Sequence, residues 1–504
     1  MLVRVWPGLV AAAVMLLVGL YRIGTPELWR DEVSSWSAGG RSLGELFGML
    51  GNVDASNGAY YVVLHGWMAV FGDSPVALRL LSAVAMAGAA LFSALTAQHV
   101  FRSRVAGLAA GLLPATVPIV SRYAQEARAY ALVTCAIAAG VWCLVRVLER
   151  PSKGRWAAFA VCTAVAGLLH LVSLVGVVGQ LPMVLVASRR RPRVLWQYPL
   201  ALALAALPTL PLVVLGRSQS DRQLSWLVRP DLHDLRFFWE ELFGSHRVLY
   251  AFLALALLAI VLPGRRAAAV QLLLLAGLPV VAVWVVSQGG TSYFLERYLL
   301  FTLPTWAVLA GGGVGAVAGL LRGATGRSGA TGRRGATGRR SRGVVWVAVG
   351  LVAVPAVLGL SKQAQVRAEA AHSATDFRGA AGLIAAGYRP GDGLVALAGD
   401  VAWAMVGPGV SYYLPGGVAP GPMFVARSAV EADDLYPVLS RAPADTIGDE
   451  ARVWVVTIGT SDDPYQYLPA EQARALRSVF TPAEVRHVRG LTVTLLVRDR
   501  QHPT

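Results

Sequence analysis

Trp29-Arg30-Asp31-Glu32, closed by Trp36, follows an apolar run at residues 6–23 that is long enough to cross a bilayer. An adjacent Asp and Glu at the mouth of such a helix are costly to bury. They are therefore expected to face an aqueous cavity or to take part in chemistry. Arg4 ahead of the run resembles the start of a secretory signal. No small-residue cleavage site precedes the charged stretch, so the run reads as an uncleaved first span.

The composition supports a membrane setting. Of 504 residues, 55% are hydrophobic and only 15% charged, and the mean hydropathy is +0.55. These values exclude an ordinary soluble globular protein. The net charge of +16 is carried by arginines in short loops between apolar runs. That placement reports orientation in the bilayer rather than binding to nucleic acid. Cys135, Cys143 and Cys162 all fall inside apolar runs, so neither a disulfide framework nor a metal knuckle is expected.

Outward from the charged stretch, about eleven spans are expected. They lie at residues 6–23, 75–99, 105–120, 130–148, 156–170, 171–187, 195–215, 248–262, 267–287, 298–320 and 344–360. Residues 42–50, 59–71 and 234–243 read as short surface helices, the second carrying Tyr60, Tyr61, His65 and Trp67. Every second loop is basic and belongs in the cytoplasm with the N-terminus. The first loop, the turns at 122–128 and 288–297, the loop at 216–247 and the tail after Leu360 then share the extracytoplasmic face.

Three parts are expected. Residues 1–361 form a transmembrane catalytic domain, and residues 322–343 within it form an Arg/Gly-rich cytoplasmic linker. The linker repeats Gly-Ala-Thr-Gly-Arg-Arg, with far too few triplets and too little Pro for a collagen helix. In residues 362–504 charges return and apolar runs shorten. Helices at 377–386 and 470–479 alternate with strands at 393–398, 453–458 and 491–497, which predicts a small α/β domain. The fold class expected is thus an all-α polytopic membrane protein with a C-terminal α/β domain.

Asp31 and Glu32 are the first candidates for chemistry, since a carboxylate at a membrane face can act as general base towards a hydroxyl. A solvated helix end explains the doublet as well. Arg122-Tyr123-Ala124-Gln125-Glu126-Ala127-Arg128 is the second stretch. Arg122 and Glu126 are four apart and would share a helix face as a structural ion pair. They could also grip a phosphate and orient an acceptor. His170 ends the fifth span and His65 lies on a surface helix, and both residues are as readily structural. Arg297-Tyr298 heads the tenth span as an interfacial anchor or a phosphate site. No spacing argues for a metal site, and no phosphate-cradling Gly-x-x-x-x-Gly-Lys loop is present.

In combination these motifs resemble the polytopic GT-C glycosyltransferases, and among them the bacterial protein O-mannosyltransferase and aminoarabinose transferase group. The resembling residues are Trp29-Arg30-Asp31-Glu32, Asn57-Gly58-Ala59-Tyr60-Tyr61, Leu64-His65-Gly66-Trp67, Ala77-Leu78-Arg79-Leu80, Gln125 to Leu132, and Arg297-Tyr298-Leu299-Leu300. The resemblance implies inverting transfer of a mannose- or arabinose-like sugar from a polyprenyl-phosphate carrier. The acceptor would be a hydroxyl of an envelope glycan, glycolipid or protein outside the plasma membrane. It implies Asp31 as base, with Glu32 beside it, and Glu126 as second acid. It implies Arg128 and Arg297 at the donor phosphate, with Arg30, Arg122, His65, His170 and Tyr298 as further substrate contacts. Tyr60 and Tyr61 would border the cavity.

Many relatives carry a basic residue or His followed by prolines just before the Tyr pair, where this chain has Ser56-Asn57-Gly58-Ala59. No cofactor follows from the sequence, and a divalent metal has no ligand set to support it. Two other classes fit a polytopic envelope protein: a lipid-linked glycan flippase or transporter, and a non-catalytic assembly protein. A transporter would carry charges at mid-span, and none is seen.

Overall fold

The structure is a computed structural model describing residues 2–327, 336–396 and 399–499. It divides into two compact units. One comprises Met1–Ile23, Ala55–Tyr60 and Arg79–Val366; the other comprises Gly24–Asp54, Tyr61–Leu78 and Arg367–Thr504.

The first unit is a helical bundle. Among the described residues, seven helices are long and apolar enough to cross a membrane. They are Pro75–Phe101, Tyr130–Glu149, Leu171–Ser188, Val194–Gln219, Arg266–Val286, Glu296–Gly323 and Gly343–Gln365. Two bent pairs bring the number to as many as nine: Arg104–Thr116 with Pro118–Ala124, bent by 74°, and Leu232–Phe243 with His246–Val261, bent by 92°. The other two expected segments are the shorter helices Val5–Leu20 and Lys153–Leu169.

Both bends have a local cause. Val117 is extended ahead of Pro118, as a residue before proline prefers to be. Gly244 takes the left-handed conformation at φ 67° and stops its helix, and Ser245 caps the next by accepting the Val248 amide. The expected surface helix at 234–243 is therefore the first arm of a bent pair. Helix Leu303–Arg327 packs closely through glycines: a Cβ on Gly313 would overlap the Leu255 carbonyl, and one on Gly311 would lie 2.6 Å from the Ala110 amide. The expected linker is helical where it is described, because Leu303–Arg327 and Ala336–Gln365 both extend into it. Residues 328–335 lie outside the described residues.

The second unit is built on a five-stranded sheet in the order Gly421–Pro422, Gly393–Ala396, Arg452–Ile458, Leu491–Arg498, Phe480–Val488. Parallel pairing joins the first three strands and antiparallel pairing the last three. The continuous apolar run Val453-Trp454-Val455-Val456 fits the central strand, which is buried on both faces. Pro422 stands on the edge, where a missing amide is tolerated. The strand expected at 393–398 is formed at Gly393–Ala396; residues 397–398 lie outside the described residues.

Among the elements of this unit that escaped the sequence reading, three are of eight residues or more. Strand Phe480–Val488 is mostly exposed and interrupted by Pro482, so it shows little apolar alternation. Helix Val406–Tyr413 contains Gly407, Pro408 and Gly409, which read as breakers. Helix Arg30–Gly39 is the third. Its polar sequence hides it, and it forms because it packs against helix Val406–Tyr413.

Contacts across long sequence separations fold the segment after the first helix together with the tail. Arg41 donates to the Asp434 carbonyl at 2.5 Å and Asn52 to the Asp433 carbonyl at 3.1 Å. The Leu28 amide donates to the Tyr413 hydroxyl at 2.9 Å. Glu27 is the centre of this join. Its buried carboxylate accepts the Arg378 amide at 2.6 Å and the Arg489 guanidinium at 2.9 Å.

Candidate active site

In the second unit, Asp31 and Glu32 occupy the first turn of helix Arg30–Gly39, where negative charge suits the exposed amides. Neighbours on a helix point about 100° apart, and the two carboxylates separate accordingly. Asp31 is 21% exposed and lies 3.5 Å from Arg30 Nε. Glu32 is fully buried and faces His372 Nδ1 at 4.0 Å. Water therefore reaches Asp31 and not Glu32, contrary to the expectation that both face an aqueous space. His65 donates from Nδ1 to the Gly39 carbonyl at 3.0 Å, so it secures the end of this helix. Tyr61 is buried and donates to the Asp54 carboxylate.

In the first unit, the turn after helix Pro118–Ala124 carries the second motif. Arg122 Nη2 and Nε reach one Glu126 oxygen at 3.1 and 3.3 Å, and the Glu126 side chain is wholly buried. The turn is pinned from two sides. Gln125 donates to the carbonyls of Gly19 and Tyr21 at 2.8 and 2.7 Å, and Ser82 donates to the Glu126 carbonyl at 2.6 Å. Such fixing holds a buried carboxylate and its cation in one geometry, as a preorganised site requires.

Helix Lys153–Leu169 ends at His170. The His170 ring lies 4.7 Å from that of Tyr298 and 5.9 Å from that of Tyr130, and Tyr130 in turn is 5.3 Å from Tyr123. The Tyr123 hydroxyl donates to Glu296 at 3.4 Å. The positive charges of Arg128 and Arg297 both act on the His170 ring.

His170 and Tyr298 of this cluster line a cavity of about 540 Å³. Leu171, Val172, Leu174, Val175, Val213, Val283 and Val286 line its apolar part, and Ser56, His170, Arg217, Thr291, Tyr293 and Tyr298 its polar part. Aliphatic side chains together with hydroxyls, an imidazole and a guanidinium suit an amphiphile with a polar head.

Residues 59–214 match the family model described as dolichyl-phosphate-mannose-protein mannosyltransferase. Two solved structures cover 97% of this chain and are themselves covered to 97%, each at 15% identity. They are ArnT from Cupriavidus metallidurans bound to undecaprenyl phosphate, with a TM-score of 0.59, and the same protein in its apo state, with 0.56. No curated protein matches the sequence. The chain has the fold of these ArnT structures. It is a polytopic helical membrane protein, as its composition indicated.

Within that fold the candidate residues distribute unevenly. Glu126, Arg122, Arg128, His170, Arg297, Tyr298 and the fully buried Tyr60 belong to the first unit. Arg30, Asp31, Glu32, Tyr61 and His65 belong to the second. His170 and Tyr298 line the cavity, with Arg128 and Arg297 close by in charge. The sequence reading missed Arg217, Ser56 and Tyr293. Arg217 had a signal, as a cation just past the end of the expected seventh span. Ser56 and Tyr293 had none.

Among the described residues, the one group spaced to hold a cation is Asp231, His233 and Asp234. All three are exposed, and the two carboxylates already cap helix Leu232–Phe243.

Proposed function

We propose that this protein is an inverting glycosyltransferase that moves a mannose- or arabinose-like sugar from a polyprenyl phosphate to an acceptor hydroxyl on the extracytoplasmic side of the plasma membrane. The observation that carries this reading is the cavity of the first unit, lined by aliphatic side chains and by His170, Arg217 and Tyr298. An isoprenoid chain matches the aliphatic side chains, and a phosphate with its sugar matches the polar ones. The likeness to an ArnT bound to undecaprenyl phosphate points the same way.

In the proposed reaction Asp31 accepts the proton of the acceptor hydroxyl. The hydroxyl oxygen attacks the anomeric carbon as the bond from that carbon to the phosphate oxygen breaks, which inverts the configuration. The polyprenyl phosphate leaves with the bonding pair as an anion, so it needs cations and no general acid. Arg217, Arg128 and Arg297 supply that charge. Glu126 holds Arg122 and stands as the second acid of the acceptor site. Glu32 is assigned to the interior of its unit as the partner of His372. The tail shares the extracytoplasmic face with Asp31, and residues 322–343 lie on the cytoplasmic side.

The test supplies purified wild type, Asp31→Asn and Arg217→Gln with a panel of radiolabelled polyprenyl-phospho-sugars and a crude envelope acceptor. Loss of the base is expected to lower turnover about a hundredfold or more. Loss of the guanidinium is expected to raise the donor KM about tenfold. If no donor supports transfer by the wild type, the enzyme reading fails and the flippase and assembly readings take its place. If Asp31→Asn transfers normally, Asp31 is not the base.

A further inference from the structure

Trp403 is 51% exposed, and among the described residues it is the one exposed tryptophan of the second unit. The exposed Trp6, Trp196 and Trp346 belong to apolar helices of the first unit, where a bilayer accounts for them. Trp403 belongs to the tail and has no such explanation. It does have a neighbour. The Arg30 guanidinium carbon lies 4.8 Å from the centre of its ring, and Arg30 Nε lies 3.5 Å from the carboxylate of Asp31. An exposed indole ring, a guanidinium and a water-accessible carboxylate are therefore neighbours, with Arg30 touching both of the others.

Helix Arg30–Gly39 takes part in a second aromatic contact with the tail. Helix Val406–Tyr413, which begins three residues after Trp403, packs on helix Arg30–Gly39. There Trp36 meets Tyr412 edge to face at 5.0 Å. The Trp36 indole donates to the Asp73 carboxylate at 3.0 Å, and the Tyr412 hydroxyl donates to the Asp73 carbonyl at 2.8 Å. Asp73 is exposed.

We infer that Trp403 and Arg30 form an acceptor subsite for a sugar ring next to Asp31, so that the acceptor is a glycan. This rests on the reading that Asp31 is the base. A sugar presents a face of C–H groups with a rim of hydroxyls. The face matches an exposed indole, and the rim matches a guanidinium and a carboxylate at its edge. A serine or threonine of a protein acceptor offers a hydroxyl but no ring to stack. Trp36, on the same helix as Arg30, adds with Tyr412 a second aromatic group beside the exposed Asp73, which suits an oligosaccharide rather than a single sugar. Arg30 is then a positioning residue twice over, holding the orientation of Asp31 and covering part of Trp403.

The test is binding without any donor, so that it does not depend on turnover. Short linear arabino- and manno-oligosaccharides and a Ser/Thr-rich peptide are titrated into the full-length protein in detergent. The proteins compared are wild type, Trp403→Ala, Trp403→Phe and Asp31→Asn. The inference expects one oligosaccharide to bind wild type, Trp403→Ala to weaken it about tenfold, and Asp31→Asn, which keeps the ring and an acceptor oxygen, to weaken it less. Trp403→Phe, which keeps a ring, is expected to recover most of the loss. In the transfer assay, Trp403→Ala raises the acceptor KM by more than it lowers kcat. Equal binding by wild type and Trp403→Ala would overturn the inference, as would binding of the peptide and of no oligosaccharide. Unchanged transfer by Asp31→Asn would remove the base and leave the binding result to stand by itself.

Discussion

Glu27 joins the segment after the first helix to the tail, and its charge carries a calculable consequence. The carboxyl is 1% exposed. Burial pushes its pKa from 4.5 up to about 7; the Arg378 amide and the charges of Arg489 and Arg378 oppose the rise, and Asp376 adds to it. Because the folded value lies above the unfolded one, the stability tied to this group is complete below about pH 4.5. It is lost as the pH rises through about 7. At about 1.4 kcal/mol per pH unit, the interval corresponds to about 3 kcal/mol at mildly alkaline pH.

A two-unit membrane protein gives no simple two-state midpoint, so the local opening of this join is the quantity to follow. Hydrogen exchange at the amides of Leu28 and Arg378, corrected for the intrinsic effect of pH, reads it directly. Opening in the wild type is expected to become about a hundredfold more frequent from about pH 5 to about pH 8. Glu27→Gln keeps an acceptor and carries no charge, so its corrected profile is expected to be flat. If both proteins show the same dependence, the buried charge of Glu27 is not its source and the reasoning fails.

Two further expectations concern the first unit. Glu126→Ala leaves the Arg122 cation, 18% exposed, without the carboxylate it holds at 3.1 Å. It is expected to cost about 3 kcal/mol or more, read as a fall in thermal stability in detergent, and Glu126→Gln should lose less. Gly313→Ala forces a methyl group onto the Leu255 carbonyl. A loss of about 1–3 kcal/mol is expected, whereas Gly350→Ala, where an added Cβ meets nothing within 4 Å, should be silent in the same assay.

Much of the architecture was legible in the linear sequence because a bilayer imposes length and hydropathy on every crossing helix. The eleven expected segments are helical over most of their length, that at 105–120 as one arm and part of the next in a bent pair, and the helices and core strands expected in the tail are present. Local chemistry showed as well. Arg122 and Glu126, four apart, do pair. What stayed hidden lacked a periodic signal: the exposed strand Phe480–Val488, the Gly-Pro-Gly helix at Val406–Tyr413 and the polar helix Arg30–Gly39.

Only the tertiary structure decided how the motifs are shared out. A linear boundary near residue 361 separates bundle from tail, yet residues Gly24–Asp54 and Tyr61–Leu78 fold with Arg367–Thr504. The hydrogen bonds responsible span hundreds of residues, as between Glu27 and Arg489, and no local pattern encodes such a pairing. The doublet Asp31-Glu32 makes the same point at the smallest scale. Sequence alone identified two carboxylates at the end of an apolar run. The turn of the helix and the packing of the tail left one in water and buried the other beside His372.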